Sequence, residues 1–323
     1  MSVIISVDGG TTNTRFTVTE NGCVKSSKKI SIGIRNTLTE EGRRGFISEI
    51  SNALSRICEN EGKSAEAVVF SGMIGSETGL YTCAHVCAPI SVSSLAQKIT
   101  KVDLEGICPL PAYFIPGVKT AKDESGEFDV DALSTADIMR GEEAEIVGIY
   151  TKLGISTEAL IALPGSHMKY VRTDGKGGII SFFTSISGEL IRAIAENTIL
   201  KSSLDGAYPN HPKKKLLTMG YEYATAHGIT EAAFKVRILD RLCRYTKEEL
   251  YSFLLGVILH EDIRSITDND LPRYVGGSGL FKEALTTLLC AKFPQRQIYE
   301  IPANISDNAA AFGAEQLYKM SIL

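Results

Sequence analysis

The sequence contains no tryptophan and no long apolar run. Its longest apolar stretch, Phe253 to Leu259, falls far short of the roughly 20 residues that a membrane-spanning helix needs. A surplus of positive charge is also missing: 34 Lys and Arg stand against 38 Asp and Glu, for a net charge of −4. That balance excludes the broad positive field typical of nucleic-acid or anionic-membrane binding. The one basic run, Lys213-Lys214-Lys215, follows Pro209 and Pro212 and reads as a solvated loop. Cysteine pairing is absent as a pattern, since the seven cysteines are odd in number and scattered, as expected for reduced thiols. Cys83, His85 and Cys87 alternate and on a strand would face one side, but no second ligand pair accompanies them, which argues against zinc. Near the start, Val3-Ile4-Ile5 runs almost directly into Asp8, with neither the basic region nor the apolar core of a secretion signal. The expected location is the cytoplasm.

What remains is ordinary in composition, with 44% hydrophobic and 22% charged residues. Disordered, collagen-like and disulfide-scaffold classes are thereby excluded. A chain of 323 residues is long enough for about two domains.

Periodicity predicts strands over Val3–Val7, Arg15–Thr19 and Cys23–Ile30, the last two joined by Asn21-Gly22, which supplies the φ > 0 residues of a tight hairpin. A helix follows over Glu41–Glu61, where Phe46, Ile50, Leu54 and Ile57 recur at helical spacing. A strand over Ala65–Phe70 then runs into the loop Ser71-Gly72-Met73-Ile74-Gly75-Ser76, whose small residues permit close approach to a ligand. Beyond a loop at Lys122–Asp131, a helix is expected from Ile138 to Leu153. Strands Ala159–Leu163, Lys169–Arg172 and Ile179–Phe183 and a helix near Gly188–Leu200 repeat the order of the first segment, which suggests two echoing halves. The last third predicts helices Thr230–Arg244, Lys247–Thr267, Ser278–Phe293 and Ser306–Lys319, with strands Arg273–Val275 and Gln297–Ile301 between them.

Three turns carry phosphate-binding chemistry. Asp8-Gly9-Gly10-Thr11-Thr12-Asn13 gathers a carboxylate, two glycines, two hydroxyls and an amide between two strands. Gly9 and Gly10 would turn backbone amides toward phosphate oxygens, Thr11, Thr12 and Asn13 would add donors, and Asp8 could hold Mg²⁺ directly or through water. The bland alternative is an ordinary Gly-Thr hairpin. The second turn is Pro164-Gly165-Ser166-His167, and the third, Gly276-Gly277-Ser278-Gly279, joins a strand to a helix with unhindered amides. Competing signatures fail. Glu61-Gly62-Lys63-Ser64 has Ile57 where a P-loop needs its first glycine, no G-x-G-x-x-G follows a strand, and His260-Glu261 has Arg264 where a zincin needs histidine.

The first and second turns resemble the two phosphate motifs of the superfamily that contains actin and hexokinase. Three further stretches, Ser71-Gly72-Met73-Ile74-Gly75-Ser76, Met139-Arg140-Gly141-Glu142-Glu143 and Pro164-Gly165-Ser166-His167-Met168-Lys169, are together similar to the 2-dehydro-3-deoxygalactonokinase family. The resemblance departs at Gly9, where that family commonly carries tryptophan.

This resemblance implies an α/β fold of two actin-like ATPase (ribonuclease H-like) lobes with an interdomain ATP and substrate cleft. The lobes would be 1–133 and 134–303, with a C-terminal helix 304–323 returning to the first as an option. It implies ATP-dependent phosphorylation of the 6-hydroxyl of 2-dehydro-3-deoxy-D-galactonate, with ATP and Mg²⁺ as cofactors. Glu142 would be the base and Glu143 a ligand to sugar hydroxyls, with Asp137 a third candidate; alternatively the acids merely complement a helix N-terminus. Arg140 would take the substrate carboxylate, or else pair with the glutamates. Gly72, Met73, Ser76 and Glu189 would line the sugar pocket, Met73 being equally readable as core filler. Gly9, Gly10, Thr11, Thr12, Asn13, Gly165, Ser166, His167, Lys169, Gly276, Gly277 and Gly279 would contact the nucleotide and its phosphates. The partners are then a sugar acid and ATP, with neither nucleic acid nor membrane, and with a homodimer left open. Two alternatives stand beside this reading: a kinase for 2-dehydro-3-deoxygluconate or an amino sugar, and a non-kinase ATPase switch of the actin type.

Overall fold

A computed structural model describes residues 3–60, 64–120, 129–267 and 270–323. In chain order the strands and helices begin with β1 (Val3–Gly9), β2 (Thr14–Glu20), β3 (Cys23–Ile30), α1 (Glu40–Asn60), β4 (Ala65–Gly72), β5 (Val86–Cys87) and α2 (Val92–Ala96). There follow β6 (Thr100–Val102), β7 (Ala112–Phe114), β8 (Val118–Lys119), α3 (Val130–Thr135), β9 (Ile138–Met139) and α4 (Glu142–Leu153). Next come β10 (Ala159–Leu163), β11 (Met168–Thr173), β12 (Ile179–Ser185), α5 (Ser187–Asn197), α6 (Lys201–Leu204), α7 (Lys214–His227), α8 (Ile229–Leu242) and α9 (Lys247–Arg264). The chain closes with β13 (Arg273–Val275), α10 (Gly279–Lys292), β14 (Ile298–Glu300), α11 (Ala303–Ser306) and α12 (Ala309–Ser321).

Two compact units emerge. One gathers Met1–Thr157, Arg172–Phe182 and Asn304–Leu323, the other Glu158–Val171 and Phe183–Ala303. A boundary after residue 133 would put α4 in the following lobe; in the structure α4 is gathered with the first unit and with Asn304–Leu323. The cause is a seam of small residues between α4 and α12. A Cβ on Gly148 would overlap the Ala309 carbonyl, and one on Gly313 would overlap the Ala144 carbonyl, so only glycine lets the two backbones approach this closely.

The six-stranded sheet runs β3-β2-β1-β4-β7-β6 and the five-stranded sheet β12-β11-β10-β13-β14. The same order, a three-strand meander followed by crossover strands, is the repeat that the sequence suggested. β1 and β4 pair in parallel, as do β10 and β13. Their near-continuous burial is what parallel strands covered on both faces require. In the first unit Val3, Ile5, Val7 and Phe16 pack with Phe46, Ile50 and Leu54 of α1, and Phe70 stacks on Phe114 at 4.7 Å. In the second, α9 supplies Leu250, Phe253, Leu254 and Val257 to a core shared with Leu216 and Leu217 of α7.

Three expectations are corrected. Ile138 and Met139 are not the first turn of a helix: they pair antiparallel with Val118 and Lys119, and α4 starts only at Glu142, after Gly141 at φ 115°. Lys214 and Lys215 are not loop but the first turn of α7, drawn into helix by the buried Leu216 and Leu217. The C-terminal helix breaks at Asp307 and Asn308, giving α11 and α12. Of the predicted loop Lys122–Asp131, residues 122–128 lie outside the described residues, as do Glu61, Gly62 and Lys63.

Candidate active site

The hairpin register of β1 and β2 sets Asp8 opposite Arg15 and Gly9 opposite Thr14, leaving Gly10 to Asn13 as the turn. Parallel pairing with β4 sets Asp8 beside Ser71 and Gly9 beside Gly72. Both motifs therefore meet at the carboxyl ends of adjacent strands, where α/β sheets bind ligands. The turn is clamped from below, with Ile34 N donating to Gly10 O at 3.1 Å and Arg35 N to Thr11 O at 2.9 Å. Gly33 makes this approach feasible, since a Cβ there would sit 2.6 Å from Gly10 O and Thr12 N.

The Gly10 amide does not face outward but donates to Asn13 O at 2.9 Å, closing the turn, and Asn13 Nδ2 donates to Thr12 Oγ1 at 2.8 Å. Thr11 and Thr12 are the exposed members. Gly9 also acquires a reason of its own: a Cβ there would lie 2.6 Å from Ile74 Cβ, so Ile74 fills the space in which a larger residue would stand.

Four carboxylates gather above this strand end. Asp8 is enclosed, and burial, opposed by Arg15 and reinforced by Glu142, raises its pKa to about 6. Glu143 is fully buried. Both its oxygens accept from Gly141 N, at 2.9 and 2.8 Å, yet burial and then Glu142 push it up to about 8. Glu142, half-buried, accepts from Arg140 N at 3.1 Å through Oε2. Glu145, which the sequence reading missed, is held well above its normal range by burial, then by Asp8, Glu142 and Glu143. Its three-residue spacing from Glu142 on one helix face was the available signal. Arg15, also missed, was legible as the hairpin partner of Asp8, and its guanidinium donates to Asp307 O. Asp137 begins the approach to β9, with Oδ1 accepting from Ile138 N. Among the described residues no three His, Cys, Asp or Glu form a ready-made metal cluster.

Gly72 and Gly141 keep this space open. At φ 79°, Gly72 would carry a Cβ 2.6 Å from Gly9 O and 2.9 Å from Asp8 Oδ1, while a Cβ on Gly141 would sit 3.1 Å from the Gly72 Cα. After Gly72 a tight turn of 3-10 helix, Met73–Gly75, is closed by Ser76, whose Oγ donates to Met73 O at 2.6 Å. Met73 is partly exposed. Arg140 Nη2 donates to Cys83 O at 2.7 Å, and its Nη1 is buried without a hydrogen-bond partner, facing Gly75, where a Cβ would be 3.3 Å away.

The second unit holds the other two turns. A Cβ on Gly188 would overlap Gly165 O, and Glu189 N donates to Ser166 O at 3.1 Å, so the second turn lies against the start of α5. That start is anchored by Ser187, whose Oγ donates to the buried Asp262 at 2.8 Å. His167 Nε2 lies 3.6 Å from Glu189 Oε1. Gly276 N donates to Ala162 O at 2.8 Å, and Gly277, at φ 71°, packs its Cα face on Pro164. A cavity of about 480 Å³ opens beside them, lined by Gly165, Ser166, Gly188, Ser278, Tyr208 and Tyr251 among others, a size suited to a small-molecule ligand. Gly279, at φ 70°, begins α10 with open space around its Cα. Lys169 stays apart from this group: it is buried, and its ammonium donates to Thr184 Oγ1 at 2.7 Å.

The sequence matches the 2-keto-3-deoxy-galactonokinase family over residues 8–297. The chain belongs to this family. Its members are ATP-dependent sugar-acid kinases, and this chain is one of them. The fold agrees: a protein assigned as a 2-dehydro-3-deoxygalactonokinase from Sinorhizobium meliloti superposes with a TM-score of 0.77 at 20% identity, covering 98% of each chain. Component A of the (R)-2-hydroxyglutaryl-CoA dehydratase from Acidaminococcus fermentans superposes with a TM-score of 0.51 at 10% identity, covering 100% of each chain. The architecture is the α/β fold of the actin-like ATPases. Curated protein sequences give no match. No helix among the described residues is long and apolar enough to cross a membrane.

Proposed function

We propose that the chain transfers the γ-phosphoryl group of ATP to the 6-hydroxyl of 2-dehydro-3-deoxy-D-galactonate, with Glu142 as the base. The observation that carries the reading is the convergence of the phosphate turn at Asp8, the N-terminus of α4 and the unpartnered Arg140 Nη1 at one strand end. Glu142 is the better base of the adjacent pair. Glu143 has both oxygens spent on Gly141 N and a pKa near 8, so at neutral pH it is mostly protonated and cannot accept readily. In the reaction the sugar O6 forms a bond to the γ-phosphorus, the bond to the bridging oxygen of ADP breaks, and the hydroxyl proton passes to Glu142. Thr11 and Thr12 would donate to phosphate oxygens, and Arg140 would pair with the C1 carboxylate. Gly72, Met73 and Ser76 would border the sugar. Taken by itself, the cavity of the second unit lined by Gly165, Ser166, Gly188 and Ser278 has a size suited to a nucleoside.

The residues present fit Mg²⁺, which usually takes one or two carboxylates, keeps several waters and shares substrate phosphates. Asp8 would hold it, and the neighbouring Glu145, whose carboxyl feels the charge of Asp8, would add to the negative field that attracts the cation. When bound, the cation supplies charge neutralisation at the transferring phosphoryl group. The test is a coupled ADP-release assay over 2-dehydro-3-deoxygalactonate, 2-dehydro-3-deoxygluconate, hexoses and amino sugars. Highest turnover on the galactonate derivative is expected. Equal ATP hydrolysis with and without sugar would defeat the kinase reading in favour of an ATPase switch.

A further inference from the structure

In the sequence His85 stands out only as the middle of the alternating Cys83, His85 and Cys87, yet the structure puts it against Arg140. The small sheet β5-β8-β9 is assembled from three distant segments, with β5 parallel to β8 and β8 antiparallel to β9. His85 immediately precedes β5, Gly117 precedes β8, and Arg140 follows β9. Val86 N donates to Gly117 O at 2.9 Å, which draws the first two of these together. The absence of a side chain at Gly117 leaves room for the imidazole, since a Cβ there would sit 2.6 Å from His85 Cδ2 and 2.6 Å from Met139 O.

Arg140 Nη2 lies 3.3 Å from both ring nitrogens of His85. An amine equidistant from the two cannot lie along either lone pair, so the guanidinium rests against the ring, in the manner of arginine on flat aromatic groups. Burial first, then Arg140 and Lys119, push the His85 pKa down to about 4, so at neutral pH the ring is uncharged and does not repel the guanidinium. With Nη2 held by this ring and by Cys83 O at 2.7 Å, Nη1 is left buried, unbonded and aimed at Gly75.

We propose that His85 is a positioning residue for acid selectivity: together with the Cys83 carbonyl it fixes the guanidinium of Arg140 so that Nη1 meets the substrate carboxylate. The inference rests on the reading of Arg140 as the carboxylate ligand. A side chain held in this way loses less freedom on binding than a mobile one, so the effect falls on affinity for the acid.

The test uses the full chain with His85→Ala, His85→Gln and Arg140→Ala, assayed on 2-dehydro-3-deoxy-D-galactonate and on its C1 amide. His85→Ala is expected to raise KM for the acid by about tenfold, leaving kcat, KM for ATP and the amide kinetics within about twofold, while His85→Gln, which keeps a flat polar group, recovers most of the loss. If Arg140→Ala raises the acid KM and His85→Ala does not, the inference falls while the carboxylate reading stands. Should His85→Ala lower kcat on both substrates and raise KM for ATP alike, its role is general folding and the inference also falls. If Arg140→Ala leaves the preference for acid over amide intact, the carboxylate reading falls and takes the inference with it.

Discussion

Replacing Glu143 by glutamine should make the protein more stable, by an amount that grows with pH. Its carboxyl group is fully buried at the second position of α4, both oxygens on the Gly141 amide, and its pKa rises from 4.5 to about 8. An acid with a raised folded pKa binds its proton more tightly folded than unfolded. Its contribution is therefore complete below the unfolded value and is lost as pH climbs from 4.5 through about 8. At 1.36 kcal/mol per pH unit, the full loss is on the order of 5 kcal/mol, an upper bound because a strained site relaxes. Glutamine keeps an acceptor for Gly141 N and cannot ionise. Urea denaturation of both proteins at several values between about pH 5 and pH 9 would give the stability difference directly. Asp8, raised to about 6, tilts both curves the same way, and His85, lowered to about 4, tilts them oppositely between about 4 and 6.5, so only the difference between variants isolates Glu143. A difference that stays constant or shrinks as pH rises would mean that Glu143 does not hold its proton more tightly in the folded state.

Other consequences are more local. Glu142→Gln should lower kcat by about 10²- to 10⁴-fold with small changes in either KM, the size typical of losing a general base; full activity in steady-state assays would remove Glu142 from that role. Gly72→Ala places a Cβ against Gly9 O and Asp8 Oδ1 at a positive φ, and should cost about 1–3 kcal/mol in strain along with most of the activity. Gly313→Ala would force α12 away from α4 and is expected to lower stability by about 1–3 kcal/mol or more in the same denaturation assay, with an unchanged midpoint contradicting the helix seam.

The fold was largely legible, for physical reasons that particular residues display. Continuous apolar runs at Val3 and Ala159 and the Asn21-Gly22 turn are local signals, and β3 and β10 have the bounds that the pattern predicted. What failed depended on partners distant in sequence. Ile138-Met139 looked like a helix start because an apolar pair has no period of its own; its pairing with Val118 and Lys119 decides for strand. Lys214 and Lys215 looked like loop because their polarity hid the demand of Leu216 and Leu217 to pack on α9. At the site, the cluster of acids at Glu142 and Glu143 was visible, but not which of the two turns inward. Gly10 was legible as a turn residue, though not that its amide is consumed by Asn13 O. His85 was visible only between Cys83 and Cys87; its place against Arg140 gave no signal, because that depends on three segments meeting in one small sheet.

One phosphoryl group leaves ATP in this reaction, and its destination is a single sugar oxygen. Phosphorus and proton NMR of the products formed from ATP and 2-dehydro-3-deoxy-D-galactonate would follow it directly. One phosphomonoester is expected, coupled to the protons on C6 and formed in equal amount to ADP. Inorganic phosphate in place of a sugar phosphate, or a phosphomonoester on any other carbon, would exclude transfer to the 6-hydroxyl.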